Sequence, residues 1–236
     1  MLEAFAWGVV GASSLLIGAV IGLALDVPER VVGLILAFGA GTLISAVSFE
    51  LTEEAYSVGG ADVVALGLAL GALAYFIGDV MIDRRSKGGG GDESSGPALL
   101  LGAILDGIPE SAVIGITLLG GGEIGIAVLA AVFISNLPEA LSSASAMRSA
   151  TRSPLHAIGI WVVVVVVCGV SSAVGYVALD GASGNAVGLL QSFAAGAVLT
   201  MLADTMFPKA FADGGKPAGL LTVFGFALAY LLSTLA

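Results

Sequence analysis

The sequence predicts an all-α polytopic membrane protein: a single transmembrane domain over residues 1–236, with eight transmembrane helices in a 3+2+3 inverted-repeat arrangement. Three observations carry this prediction. Hydrophobic residues make up 58% of the chain and charged residues only 11%, against about 25% charged in a soluble domain. Eight apolar runs are each long enough to cross a hydrocarbon core as a helix, which takes about 20 residues. Threaded alternately through a bilayer, these runs leave all 8 Lys and Arg on one side.

The first run, residues 3–25, has no basic segment before it and is too long for the apolar stretch of a cleaved signal, so it is a retained helix. The second, 30–52, ends in an acidic cluster of Glu50, with Glu53 and Glu54 just beyond. The third spans 61–82. Residues 83–97 follow, with four consecutive glycines among charged residues and serines; this composition predicts a flexible, solvated loop. The fourth run, 98–119, and the fifth, 122–147, each contain a Pro-Glu step. The sixth, 155–179, contains the β-branched stretch Val162 to Val167. That stretch would favour a strand in water, but in lipid each backbone group must bond within its own segment, so a helix is expected. The seventh and eighth runs are 186–208 and 217–235. The 35 glycines suit helices that approach closely where lipid removes the hydrophobic drive to associate.

Orientation follows from the basic residues. With the N-terminus outside, the cytoplasmic segments hold Arg30, then Arg84, Arg85 and Lys87, then Arg148 and Arg152, then Lys209 and Lys216. The outer segments carry Glu50, Glu53, Glu54, Glu123 and Asp180. The positive-inside bias therefore puts both termini outside, in a multi-pass protein of the plasma membrane, and makes 83–97 cytoplasmic. An internal repeat agrees with this threading. The segment from Phe38 through Gly41 to Ser45 resembles the segment from Phe193 through Gly196 to Thr200, and Gly59-Gly60 matches Gly214-Gly215, all 155 residues apart. The second and seventh runs point in opposite directions, so the repeat is inverted, a pattern typical of secondary transporters with a site near the midplane.

The chemistry concentrates in two Pro-Glu steps. One is Asp106-Gly107-Ile108-Pro109-Glu110-Ser111; the other, 29 residues later, is Ser135-Asn136-Leu137-Pro138-Glu139-Ala140. A charge at mid-membrane costs at least about 2.5–3.5 kcal/mol and therefore faces a cavity or a partner. Asp106 and Glu110 share a helix face, being four residues apart; at about 1.5 Å per residue they sit roughly 12 and 18 Å along the fourth run. Glu139, with Ser135 and Asn136 one turn before it, lies at comparable depth in the fifth. Asp106, Glu110 and Glu139 supply carboxylates, Asn136 an amide and Ser135 a hydroxyl. Such hard oxygen donors suit Mg, Mn, Ca or Zn.

These paired motifs resemble those of the ZIP family of divalent-metal transporters. There the fourth helix usually reads His-Asn-x-Pro-Glu-Gly and the fifth carries a similar Pro-Glu-Gly step. Asp204-Thr205-Met206-Phe207-Pro208-Lys209 in the seventh run is also similar to the family's Asp-Glu-Met-Ile-Pro-Glu pattern. The resemblance implies transport of zinc, or of manganese or iron, through a carboxylate site between helices 4 and 5, and it implies a homodimer. Carried over by motif position, the metal-binding residues are Asp106, Glu110, Ser135, Asn136 and Glu139. The chain departs from the pattern in several places. The family's histidine is Asp106 and its asparagine is Gly107. A sixth-helix glutamate found in many bacterial members has its nearest equivalent in Ser172, and two seventh-helix acids are Thr205 and Lys209. These changes predict a single, weak, broadly selective site, with room for water at Gly107. A non-transporting cation-binding or sensing protein is the alternative.

Other classes find less support. With Cys168 as the one cysteine, no disulfide within the chain and no cysteine metal cluster can form. Cys168, in an apolar run, is expected to pack in the core. The net charge of -10 argues against nucleic acid as a partner. Gly78-Asp79 lacks the preceding glycine of intramembrane aspartyl proteases, and no nucleophile–histidine pairing or phosphate loop points to another enzyme. His156 follows Pro154 at a membrane interface. No resident cofactor is implied beyond the transported metal.

Overall fold

The computed structural model describes residues 1–88, 96–118, 126–150, 153–179 and 181–235. Residues 89–95, Glu123, Arg152 and Asp180 thus lie outside the described residues. The rest of the predicted 83–97 loop is helical, 83–88 continuing the third helix and 96–97 opening the fourth, so the loop is shorter than its composition predicts. Within them all regular structure is helical. The elements are α1 (Leu2–Ala24), α2 (Glu29–Ala46), a π-helical turn π1 (Val47–Thr52), α3 (Glu53–Gly88), α4 (Gly96–Thr117), α5 (Ile126–Ala150), α6 (Pro154–Leu179), α7 (Gly184–Met201), a second π turn π2 (Leu202–Met206), α8 (Phe207–Gly214) and α9 (Pro217–Leu235). The valine stretch in α6 is helical, as lipid demands. Local signals set two starts. Ser153 accepts from the His156 N–H ahead of Pro154, and Ser183 accepts from the Ala186 N–H, both at 3.4 Å.

Six stretches of the described residues are long and apolar enough to cross a membrane. One of them, Glu29–Met81, has 53 residues, about 80 Å of helix, far more than a hydrocarbon core of about 30 Å. It breaks at Gly60, whose φ of 76° and ψ of 177° interrupt the helix. Gly215 performs the same break between α8 and α9 at φ 67° and ψ -158°. Both glycines adopt positive φ, a region closed to most residues. The second and seventh helices therefore outrun their predicted ends at 52 and 208, continuing through a π turn to Gly59 and Gly214. The π turns begin 155 residues apart, at Val47 and Leu202. In each, a threonine hydroxyl takes a carbonyl of the loosened turn: Thr52 donates to Val47 O and Thr205 to Met201 O, both at 2.8 Å.

Glycines set how the helices meet. Hydrophobicity does not pull helices together in lipid, so close packing must. Gly41 of α2 lies against the Thr222 carbonyl of α9, and Gly225 of α9 against the Phe38 carbonyl of α2. Gly196 of α7 lies against the Leu68 carbonyl of α3, and Gly71 of α3 against the Phe193 carbonyl of α7. The second set repeats the first at the same sequence offset, within one residue. A second matched set joins α1 to α5, through Gly18 and Gly22 at the Leu137 and Leu141 carbonyls, and α6 to α4, through Gly175 at the Ala112 carbonyl. Further contacts show that each pair, α1 with α5, α2 with α9, α3 with α7 and α4 with α6, runs in one direction. Phe49, just past α2, meets Phe226 and Tyr230, further along α9 than Thr222. Gly188 meets Ala55 and Gly67 meets Ser192 between α7 and α3, and Ser171 meets Ile108 one turn before Gly175 meets Ala112. α1 and α6 run opposite ways: Ser172 donates to the Ala4 carbonyl at 2.7 Å, while Gly8 faces Cys168 as well as Ser172.

Two apolar cores result among the described residues. One gathers Leu15, Ala19, Ala140, Ala144, Trp161 and Cys168 from α1, α5 and α6. The larger one joins α2, π1, α7 and π2, through Leu36, Leu43, Leu51, Met201 and Met206, to Val113 and Ile114 of α4 and Val128 and Val132 of α5.

Candidate functional site

Pro109 and Pro138 both lie inside continuous helices. Each withdraws the N–H that would serve the carbonyl four residues back, Leu105 or Ile134, and loosens one turn beside its glutamate. The turns are held from outside. On α4, Ser171 of α6 donates to the Ile108 carbonyl at 2.8 Å, and the Cys168 thiol points its sulfur at the Gly107 carbonyl, 3.7 Å away. On α5, Gly18 of α1 abuts the Leu137 carbonyl and Gly39 of α2 abuts Ser135.

Glu110 is 1% exposed. It borders a small gap otherwise lined by Leu43, Ala46, Val47 and Leu51, by Val113, Val128 and Val132, and by Val198. Helices α2, α5 and α7 thus converge on this carboxylate. Asn136 and Ser135 are equally buried on α5, and Glu139 is half-buried. Ser135 spends its proton on the Val132 carbonyl at 3.0 Å, leaving oxygen lone pairs. Among the described residues, Asn136 Nδ2 is buried without a hydrogen-bond partner. The Asp106 backbone is part of α4, but its side chain lies outside the described residues. Among the described residues no group of three or more His, Cys, Asp or Glu gathers.

Two sequence expectations are corrected here. Gly107 does not leave room for water at its Cβ position: a Cβ there would come within 2.8 Å of the Cys168 sulfur. Ser172 is not the sixth-helix residue at the motif, because its hydroxyl is committed to Ala4 of α1. The α6 residues that meet the α4 motif are Cys168, one turn earlier, and Ser171. Cys168 lies beside Ser111 and within electrostatic reach of both Glu110 and Glu139. Sequence reading missed this thiol because an apolar flank is all the chain shows around it. The seventh-helix departures are placed as well: Lys209 pairs with Asp213 at 3.0 Å on an exposed face.

No protein-family model matches this chain, and no curated protein matches it.

Proposed function

We propose that this protein is a divalent metal cation transporter of the ZIP type, carrying zinc or a similar ion such as manganese or iron through a mid-membrane site between α4 and α5. The observation that carries the reading is the burial of Glu110, Ser135 and Asn136 in an apolar interior, on two helices that each keep a proline one residue before a glutamate. Two carboxylates neutralise a dication and replace part of its water shell. Ser135, Asn136 and Asp106 complete the oxygen donors. The cost of a buried carboxylate falls when a cation is present, so the ion and the two glutamates stabilise each other inside the membrane.

The eight-span, 3+2+3 inverted arrangement belongs to this proposal. Three features support it: the break at Gly60, the matched π turns and glycine contacts, and the direction of the packed pairs. If consecutive spans alternate, first with fifth, second with eighth, third with seventh and fourth with sixth must each be parallel, and they are. The one-sided basic residues then put both termini outside the plasma membrane.

Uptake of Zn, Fe, Mn, Co, Cd and Mg into proteoliposomes tests the proposal. Saturable uptake of at least one divalent ion, lost in Glu110→Gln and Glu139→Gln, supports it. Retained binding with background uptake supports instead a non-transporting cation-binding or sensing protein. The sulfur that closes the Gly107 position favours that second reading.

A further inference from the structure

Beyond the Pro-Glu helices, two carboxylates and a buried amide converge where α2 ends. Glu50 lies in π1 and Glu54 four residues on, in the first turn of α3. Both are half-buried, whereas Glu53 between them is exposed. Glu54 acts electrostatically on Glu50, and like charges four apart on a helix destabilise one another. Among the described residues no basic group acts on either carboxylate.

Gln191 of α7, the single glutamine of the chain, reaches this pair. It is 1% exposed, and its side chain hydrogen-bonds Glu54. A carboxylate accepts, so the amide NH₂ is the donor, and the carbonyl oxygen sits on the same rigid plane. That oxygen, Oε1, is buried and has no hydrogen-bond partner among the described residues. A buried acceptor left unmet is unfavourable. A cation removes both problems together: it ligates Oε1 and neutralises the two glutamates.

We propose that Glu50, Glu54 and Gln191 form a binding site for a hard divalent cation of the Ca, Mn or Mg class. All its donors are oxygen, which selects against soft metals, and its half-exposed glutamates leave positions for water. Val47 and Leu51, which flank Glu50 in π1, also border the gap at Glu110, so this site neighbours the deeper one. It does not depend on transport: binding to the solubilised chain suffices.

The test is Mn titration of the purified full chain in detergent, with free Mn followed by electron paramagnetic resonance. Glu50→Gln combined with Glu54→Gln is expected to remove one bound Mn per chain or weaken it at least about tenfold. Glu110→Gln combined with Glu139→Gln retains that Mn. Gln191→Glu, which adds a carboxylate oxygen at the same position, is expected to tighten Mn binding, with folding checked by circular dichroism. Unchanged Mn stoichiometry and affinity in the Glu50/Glu54 variant overturns the proposal. So does a folded Gln191→Glu protein that binds Mn as the wild type does. Loss of all Mn in the Glu110/Glu139 variant alone overturns this site while leaving the transport reading intact.

Discussion

Ser171 of α6 donates a hydrogen bond to the carbonyl of Ile108, one residue before Pro109, at 2.8 Å. The counterpart on α5 is Gly18 of α1, set against the Leu137 carbonyl one residue before Pro138. One contact is thus made twice, once by a hydroxyl and once by bare backbone, and each loosened turn is fixed from a neighbouring helix.

The glycine contacts predict where the fold is intolerant. Gly41→Ala and Gly196→Ala each drive a methyl into a facing carbonyl, of Thr222 or Leu68. Overpacking of this kind costs about 1–3 kcal/mol. Both variants are expected to unfold at lower temperature in detergent, whereas Gly159→Ala, with open space around its Cβ, melts as the wild type. Equal melting of all three would show that the backbones do not touch.

Gly107 and Cys168 are predicted to be coupled. Gly107→Asn restores an amide to the α4 motif but meets the Cys168 sulfur. Alone it is expected to destabilise the protein; with Cys168→Ala the loss is largely recovered. A coupling of about 0.5–3 kcal/mol in the double-mutant cycle is the expected signature. Additive effects would mean that the sulfur does not occupy that space.

Topology is open to single-cysteine labelling, since the native Cys168 is buried and gives little background. In a Cys168→Ser background, Tyr56→Cys and Asn185→Cys are expected to react with an impermeant maleimide on intact cells. Lys216→Cys reacts only after permeabilisation. Labelling of position 216 from outside would reverse the assigned orientation.

Selectivity is tested at Asp106. Replacing a carboxylate by an imidazole softens the donor set, so Asp106→His is expected to raise affinity for Zn relative to Mn. Calorimetry with both metals, on both proteins, gives the ratio. A wild type that already prefers Zn strongly, with that preference unmoved by the substitution, means that Asp106 is not a ligand.

The sequence carried much of the helical layout because apolar length and basic-residue placement are properties of composition, which needs no contact map. The 155-residue repeat was legible in Gly59-Gly60 and Gly214-Gly215 because positive φ restricts residue choice. The π turns were not, since a bond to the fifth residue back leaves no residue signature at Val47 or Leu202. The glutamate, serine and asparagine of the candidate site stood out as polar groups in apolar runs. Cys168 and Gln191 did not: the thiol counts as apolar, and the glutamine was one amide among leucines. Their significance comes from Gly107 and Glu54, which are distant in sequence and adjacent only after folding.

The glycine contacts also distribute stiffness. Where two backbones touch, as between α2 and α9 or between α4 and α6, neither helix slides without the pair coming apart. Around Glu110 the facing surfaces are instead branched side chains, Leu43, Val47 and Val198 on one side and Val113, Val128 and Val132 on the other. Such surfaces shear by rotamer changes alone. Glu110, the most buried carboxylate among the described residues, therefore sits on a seam packed by side chains and not by backbone. Gly39 of α2 against Ser135 of α5 is a close backbone contact across that seam.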